Sequence, residues 1–294
     1  MALLGCPQLL QDGFETAELP GTQLNSGDLD PDGGSSASGG SSNTGSTTAG
    51  TGGTGTALAP DAGPDPALAA LGALLLHRYA FDGSGSSVVD TVGDANGTTQ
   101  AVQSGGQLTL SGSDFVDLPN GIISGLESVT IEAWVTWNAT NFWSDSTEWQ
   151  LIFSFGTNAN GEGRQGSGTT YLALTPRDYD GNVRASYTLD GYYEEDYVSS
   201  SAHLPTAAGT QVVMVVDGAQ GTLSVYVDGA LADSETNLAL DLSAIDDVNN
   251  WIGRSQFTED KYFTGDVLDF RIYGAALSDA QVALSYAHGA DASF

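Results

Sequence analysis

The feature that most constrains the fold is an alternation of side chains with a period of two near the C-terminus. The segment from Val267 to Tyr273 places one apolar row on one face, namely Leu268, Phe270 and Ile272. This period predicts a β-strand rather than a helix. The second face carries Asp269 and Arg271, and these charges need partners if the sheet is covered on both sides. The segment therefore predicts a central strand.

Short segments of the same kind recur every 8 to 15 residues. Further strands are predicted at 107–110, 114–118, 128–137, 149–156, 170–176, 182–189, 211–216, 222–229 and 251–255. Because no long helical segment separates them, the pattern excludes a fold of alternating strands and helices and favours two antiparallel sheets packed face to face. We expect the shared interior to be lined by Ile131, Val213, Phe270 and Ile272. Ser278 and Gln281 have the spacing of a capping box, which predicts one short helix over 279–286.

The strongly negative net charge limits the classes of partner that the chain can bind. The chain has 7 Lys and Arg against 37 Asp and Glu, a formal net charge of −30. Nucleic-acid binding is excluded because there is no basic patch to neutralise phosphates, and an anionic lipid surface would repel the chain. No apolar run approaches the ~20 residues of a membrane span. Membrane contact is therefore expected only through an attached lipid.

The N-terminal part divides by composition. Residues 1–32 contain the sequence Leu3-Leu4-Gly5-Cys6, which resembles a bacterial lipobox, although few residues precede Cys6, the one cysteine of the chain. Residues 33–66 are rich in Gly, Ser and Thr and predict a flexible linker, and residues 67–294 form the folded domain. We expect a lipid-anchored domain at the bacterial cell surface or outside the cell. The alternative is a chance cysteine on a disordered tail without an anchor.

Several motifs occur in the order typical of one family. They are Tyr79-Ala-Phe-Asp-Gly83, Ser128–Trp137, Tyr226-Val-Asp-Gly229, Trp251-Ile-Gly-Arg-Ser255 and the stretch 263–282 with Arg271-Ile-Tyr273. Over residues 76–290 the chain resembles the laminin-G-like jelly rolls of the concanavalin A-like lectin/glucanase superfamily. The resemblance implies an all-β fold, a two-sheet antiparallel jelly-roll sandwich with a short C-terminal helix and a disordered N-terminal tail.

The resemblance also implies a calcium ion as a structural clamp. In this family calcium often ties the loop after the first strand to the last strand, and Ca²⁺ takes carboxylate and carbonyl oxygens. By position the ligands would be Asp82, Asp90, Asp94 and Asp269. The alternative is that Asp269 only pairs with Arg271, Arg254 or Arg78.

The motifs of the enzymes built on this scaffold are missing. Glucanases need acids at alternate positions of one strand so that both carboxylates reach the glycosidic bond. Here Glu194, Glu195 and Asp196 are consecutive, which predicts a solvated acidic loop. His77, His203 and His288 lack the setting of a polysaccharide lyase. The chain is therefore predicted not to be an enzyme.

Aromatic residues in two loops are the candidates for ligand binding, because sugar C–H faces stack on rings while polar neighbours bind the hydroxyls. They are Phe142, Trp143 and Trp149 with Asp145 in the first loop, and Tyr192, Tyr193 and Tyr197 in the second. The alternative is that individual rings only cap the core. The sequence predicts an exported, surface-tethered, non-catalytic module that binds carbohydrate or an extracellular protein. The alternatives are a purely structural adhesion or envelope module, or a divergent glycoside hydrolase or polysaccharide lyase.

Overall fold

The computed structural model describes residues 65–139 and 147–292. The strands are β1 (Leu75–Tyr79), β2 (Ser87–Val88), β3 (Gly97–Thr99), β4 (Val102–Gln103), β5 (Leu108–Ser111), β6 (Val116–Leu118), β7 (Ser128–Trp137), β8 (Gln150–Leu151), β9 (Phe153–Asn158), β10 (Gly168–Thr175), β11 (Arg184–Thr188), β12 (Asp196–Ser199), β13 (Gly209–Asp217), β14 (Thr222–Val227), β15 (Ala230–Thr236), β16 (Asn249–Ile252), β17 (Lys261–Tyr262) and β18 (Thr264–Tyr273). The α-helices are α1 (Pro66–Gly72) and α2 (Asp279–His288). Within the described ranges, neither helix is long and apolar enough to cross a membrane.

Two antiparallel sheets make up the sandwich. The first sheet has the order β15-β14-β13-β7-β18-β5-β4, and β1 also pairs with β18. The second sheet has the order β12-β11-β10-β9-β16-β6-β3-β2. Both sheets combine pairs of consecutive strands with pairs of strands far apart in the chain, such as β7 with β18, and the short strands β8 and β17 form a separate parallel pair. The predicted all-β jelly-roll sandwich with a short C-terminal helix is confirmed.

The interior between the sheets holds three of the four side chains expected there. Ile131, Phe270 and Ile272 are fully buried in this main core. The prediction for Val213 was wrong, because this side chain points to the other face of the first sheet and packs in a second apolar cluster. The reason is that β13 is apolar on both faces, so its sequence does not show which residues point into the space between the sheets. The second cluster exists because α1 and α2 cover the outer face of the first sheet.

Strand β18 contains a bulge that shifts its alternation. Its register against β7 slips between Val267 and Asp269. As a result Val267 is buried in the main core, while Leu268, which we expected there, lies at the outer face. A β-bulge adds one residue to one strand and reverses the faces on one side of it. The predicted apolar row is therefore correct only from Phe270 onward.

A buried charge network fixes α2 to the outer face of the first sheet. Glu132 of β7 is 1% exposed and accepts hydrogen bonds from Arg271 Nη1 at 3.1 Å and from Tyr273 OH at 3.0 Å. Ser285 of α2 donates to the same carboxylate at 2.8 Å. The Arg271 Nε atom also lies 2.7 Å from Asp269 Oδ1. The predicted partners of Asp269 and Arg271 thus include each other, and the network joins sheet and helix.

Candidate functional site

A cavity of about 640 Å³ lies on the outer face of the second sheet. Along β9, β10 and β11 alternate side chains point inward to the main core, namely Phe153, Phe155, Leu172, Leu174, Ala185 and Tyr187. The residues between them point outward and form the cavity floor, namely Ser154, Tyr171, Ala173, Thr175, Arg184 and Ser186. The period of two within the strands therefore builds a dry core on one side and a mixed polar and aromatic surface on the other.

Three loops form the walls of the cavity. Trp149 comes from the loop before β8, Tyr192 and Tyr193 from the 3₁₀ turn before β12, and Phe257 from the segment between β16 and β17. The rings of Tyr192 and Tyr193 have centroids 3.9 Å apart, and Phe257 packs edge-on against Tyr171 at 5.5 Å. Tyr193 is 83% exposed. The walls thus present aromatic surface to solvent around a polar floor.

A charged group at the floor is held in a fixed position. Arg184 donates from Nη2 to Glu195 Oε2, and Tyr171 OH donates to Glu195 Oε1. Arg184 Nε also donates to Ser186 Oγ at 3.1 Å. The guanidinium carbon lies 3.6 Å from the ring centroid of Tyr197. The prediction that Glu195 belongs to a solvated loop was wrong, because Arg184 and Tyr171 draw this carboxylate down onto the sheet.

Asp260 also lines the cavity, and its pKa is raised. Ser255 Oγ donates to Asp260 Oδ2 at 2.5 Å. Burial raises the pKa of Asp260 to about 6, with the Ser255 bond lowering it and the neighbouring Glu195 raising it further. The charge of the cavity therefore changes near pH 6.

The structure brings three of the predicted ligand-binding residues to one cavity. Trp149, Tyr192 and Tyr193 line it, while Tyr197 lies beside it against Arg184. Phe142, Trp143 and Asp145 lie outside the described residues, as does Cys6. The roles of all eight stay predictions.

Sequence reasoning missed the polar floor and one wall of the cavity. The missed residues are Tyr171, Arg184, Phe257 and Asp260. The first two could have been found by asking which side chains of β10 and β11 alternate with the apolar row. The last two lie in a segment without regular structure, where no sequence pattern indicates direction.

The four predicted calcium ligands are not grouped around one point. Asp82 and Asp269 line a second cavity of about 350 Å³, whereas Asp94 is exposed. No group of three or more His, Cys, Asp or Glu side chains is placed to hold a metal ion within residues 65–139 and 147–292. Asp90 accepts backbone N–H groups on both oxygens, at 3.0 Å from Arg78 and 3.1 Å from Ala95.

The protein's own donors already bind the two buried carboxylates of this set. Burial raises the pKa of Asp90, but the backbone hydrogen bonds and the His77 side chain outweigh it, so the pKa lies below its ordinary value. Asp269 Oδ2 accepts from Arg78 Nε at 2.8 Å and Nη2 at 2.6 Å. A calcium ion would have to displace these donors. As placed, Asp90 and Asp269 do not fit a calcium ion, and calcium binding itself stays a prediction.

Comparison with known proteins agrees with the fold. A family model described as the concanavalin A-like lectin/glucanases superfamily matches residues 110–283, more than half of the chain. No curated protein matches.

Two solved structures are similar at low identity. Domain 4 of AbnA, a GH43 extracellular arabinanase from Geobacillus stearothermophilus solved with arabinotriose, is 21% identical with a TM-score of 0.53, covering 71% of this chain and 96% of that one. The Trypanosoma rangeli sialidase solved with sialic acid is 16% identical with a TM-score of 0.54, covering 74% of this chain. The match covers 33% of the sialidase, so this chain spans about a third of it. At these identities the likeness shows the fold.

Proposed function

This chain belongs to the concanavalin A-like lectin/glucanase superfamily, and from that premise we propose that its jelly-roll domain is a non-catalytic carbohydrate-binding module. The binding site is the cavity on the outer face of the second sheet. The observation that carries the proposal is the combination of exposed rings and a fixed polar floor. Tyr193 offers an open ring face, and Arg184 and Glu195 offer hydrogen-bonding groups held by neighbouring side chains.

This combination suits the chemistry of a sugar. A pyranose or furanose ring has C–H faces that stack on aromatic rings and hydroxyl groups that need directed partners. Because Arg184 is bound to Glu195 and Ser186, little side-chain entropy remains to be lost when a ligand binds. The arabinotriose found with domain 4 of AbnA is a property of that protein, and the shared fold makes a short oligosaccharide a reasonable ligand class here.

The proposal is tested with a glycan array followed by calorimetry on the best ligand. Tyr193→Ala should weaken binding by about 1 kcal/mol, roughly fivefold, because one stacking face is lost. Tyr179→Ala is the matched control, since Tyr179 is 77% exposed but does not line the cavity. A silent array, or equal affinity for both variants, would refute the assignment of the site.

One observation favours a glycoside hydrolase as second candidate. Asp260, with its pKa raised to about 6, lines the same cavity as Glu195, and two carboxyl groups around one site, one of them with a raised pKa, are typical of these enzymes. We nevertheless favour binding without cleavage, because Glu195 is already bound by Arg184 and Tyr171. Release of new reducing ends from a bound oligosaccharide would decide for the hydrolase. Silence in both assays would favour a structural module.

Export and surface attachment belong to the same proposal. They rest on the lipobox-like sequence ending at Cys6 and on the linker composition of residues 33–66. An extracellular protein as alternative partner would use the same exposed rings. Mass spectrometry of the protein from its native host should find a lipid on Cys6, and an unmodified thiol would end the anchoring hypothesis.

A further inference from the structure

We infer that the cavity on the outer face of the second sheet selects glycans that carry an amine, with Asp260 receiving the ammonium group and Asp190 adding negative charge to the cavity. This inference rests on the proposed carbohydrate-binding function and adds the chemical class of the ligand. It concerns amino sugars with a free amine, as opposed to their N-acetylated forms and to sugar acids.

The charges around the cavity are unequal. Among the described residues that line it, Arg184 is the only basic one, against the acids Asp190, Glu195 and Asp260. The guanidinium of Arg184 is bound to Glu195 and stacked on Tyr197, so this pair is neutral as a unit. Asp190 and Asp260 then leave the cavity with an excess of negative charge. A cation entering it gains Coulomb energy, whereas a sugar carboxylate is repelled.

The aromatic walls favour the same ligand class. A ring face attracts a cation through its quadrupole, and carboxylates next to aromatic rings form the usual surroundings of a bound ammonium group. Along the chain, Asp190 lies two residues before Tyr192, and Phe257 lies three residues before Asp260. Each of the two carboxylates therefore lies close in the chain to a ring that lines the cavity. An acetyl group on the amine would remove the positive charge that both kinds of side chain attract.

The charged groups near Asp260 carry both signs. Glu195 and Glu259 lie near it, and the neighbouring Lys261 is the cation that partly offsets them. A ligand ammonium would supply a second cation at this point. The preference for the amine should therefore fall when Asp260 is protonated.

The test compares three trisaccharides by calorimetry at pH 6.5. They are tri-glucosamine, its fully N-acetylated form and tri-galacturonate. We expect tri-glucosamine to bind at least tenfold more tightly than the acetylated form, and tri-galacturonate to show the weakest binding. At pH 5 the preference for the amine should shrink several-fold.

Asp260→Asn identifies the residue responsible. We expect this variant to lose most of the preference for tri-glucosamine over the acetylated form. Asp180→Asn is the matched control, because it removes one carboxylate from an exposed turn away from the cavity. Asp190→Asn should reduce the preference for tri-glucosamine only partially. A graded effect of this kind would show that the change is local, because a loss of folding would abolish binding of all three trisaccharides.

The outcomes separate this inference from the function on which it rests. If the acetylated form or tri-galacturonate binds as well as tri-glucosamine, or if Asp180→Asn has the same effect as Asp260→Asn, the inference is overturned and glycan binding stands. If neither the three trisaccharides nor the glycan array shows binding, both fail.

Discussion

Replacing Asp260 by Asn should make the folded domain more stable at neutral pH. The carboxyl group is largely buried at the cavity wall, and folding raises its pKa from 3.8 to about 6. An ionised Asp260 is therefore less stable in the folded state than in the unfolded chain. Asn has no charge to bury, and its side-chain oxygen can still accept the hydrogen bond from Ser255.

The sign and size follow from the two pKa values of Asp260. Between pH 4 and pH 6 the folded state binds the proton and the unfolded state does not, so the free energy of unfolding falls as the pH rises. Above pH 6 the full cost is present, at most about 3 kcal/mol at 1.36 kcal/mol per pH unit. Below the unfolded pKa both states are protonated and the cost disappears. Asp260→Asn should recover most of this cost at pH 7.5 and only about 0.5 kcal/mol of it at pH 4.

Urea unfolding of both proteins at the two pH values measures the effect. The unfolding slope should be the same in both, so that a shift in midpoint reports stability alone. Two results would contradict this reasoning: a variant that is less stable than the parent at pH 7.5, or a difference in the free energy of unfolding that is the same at both pH values. Either would show that burial of the ionised Asp260 carboxylate does not destabilise the fold. A gain in stability together with a loss of amine preference would mark Asp260 as a residue kept for binding.

Two further predictions concern the rest of the domain. Glu132→Ala should destabilise the fold by about 3–5 kcal/mol in urea unfolding, because it leaves buried Arg271 without one of its carboxylates. The same change at exposed Glu259 is the control and should be nearly neutral. A loss of less than about 1 kcal/mol at Glu132 would contradict this account. The thermal midpoint in EGTA and in added Ca²⁺ tests the predicted calcium clamp. No change is expected if Arg78 and Arg271, which already neutralise Asp269, keep calcium out, whereas a rise with Ca²⁺ would show that the cation displaces them.

The architecture could be predicted because the strand period and the family motifs can be recognised within short segments of the sequence. Ser128–Trp137 has the same bounds in the sequence pattern and in the structure, and the helix predicted over 279–286 is Asp279–His288. The wrong predictions concern which face of the sheet a side chain points to. Val213 lies in a run that is apolar on both faces, and the bulge after Val267 reverses the faces without any mark in the residue types.

The site was predictable only where exposed rings stand out in a polar loop. Tyr192 and Tyr193 were found in this way. Glu195 was missed because its partners, Arg184 and Tyr171, are 11 and 24 residues away along the chain and meet it only through the pairing of β10, β11 and β12. Side-chain pairs made by sheet register cannot be read from local spacing.

The two helices and the cavity occupy opposite sides of the sandwich. Both α1, where the domain begins, and α2, where the described chain nears its end, pack on the first sheet, whereas the cavity opens from the second. The described chain therefore starts on the side of the sandwich that faces away from the cavity. An anchor attached before α1, as proposed for Cys6, would leave the cavity side of the domain free to meet a ligand.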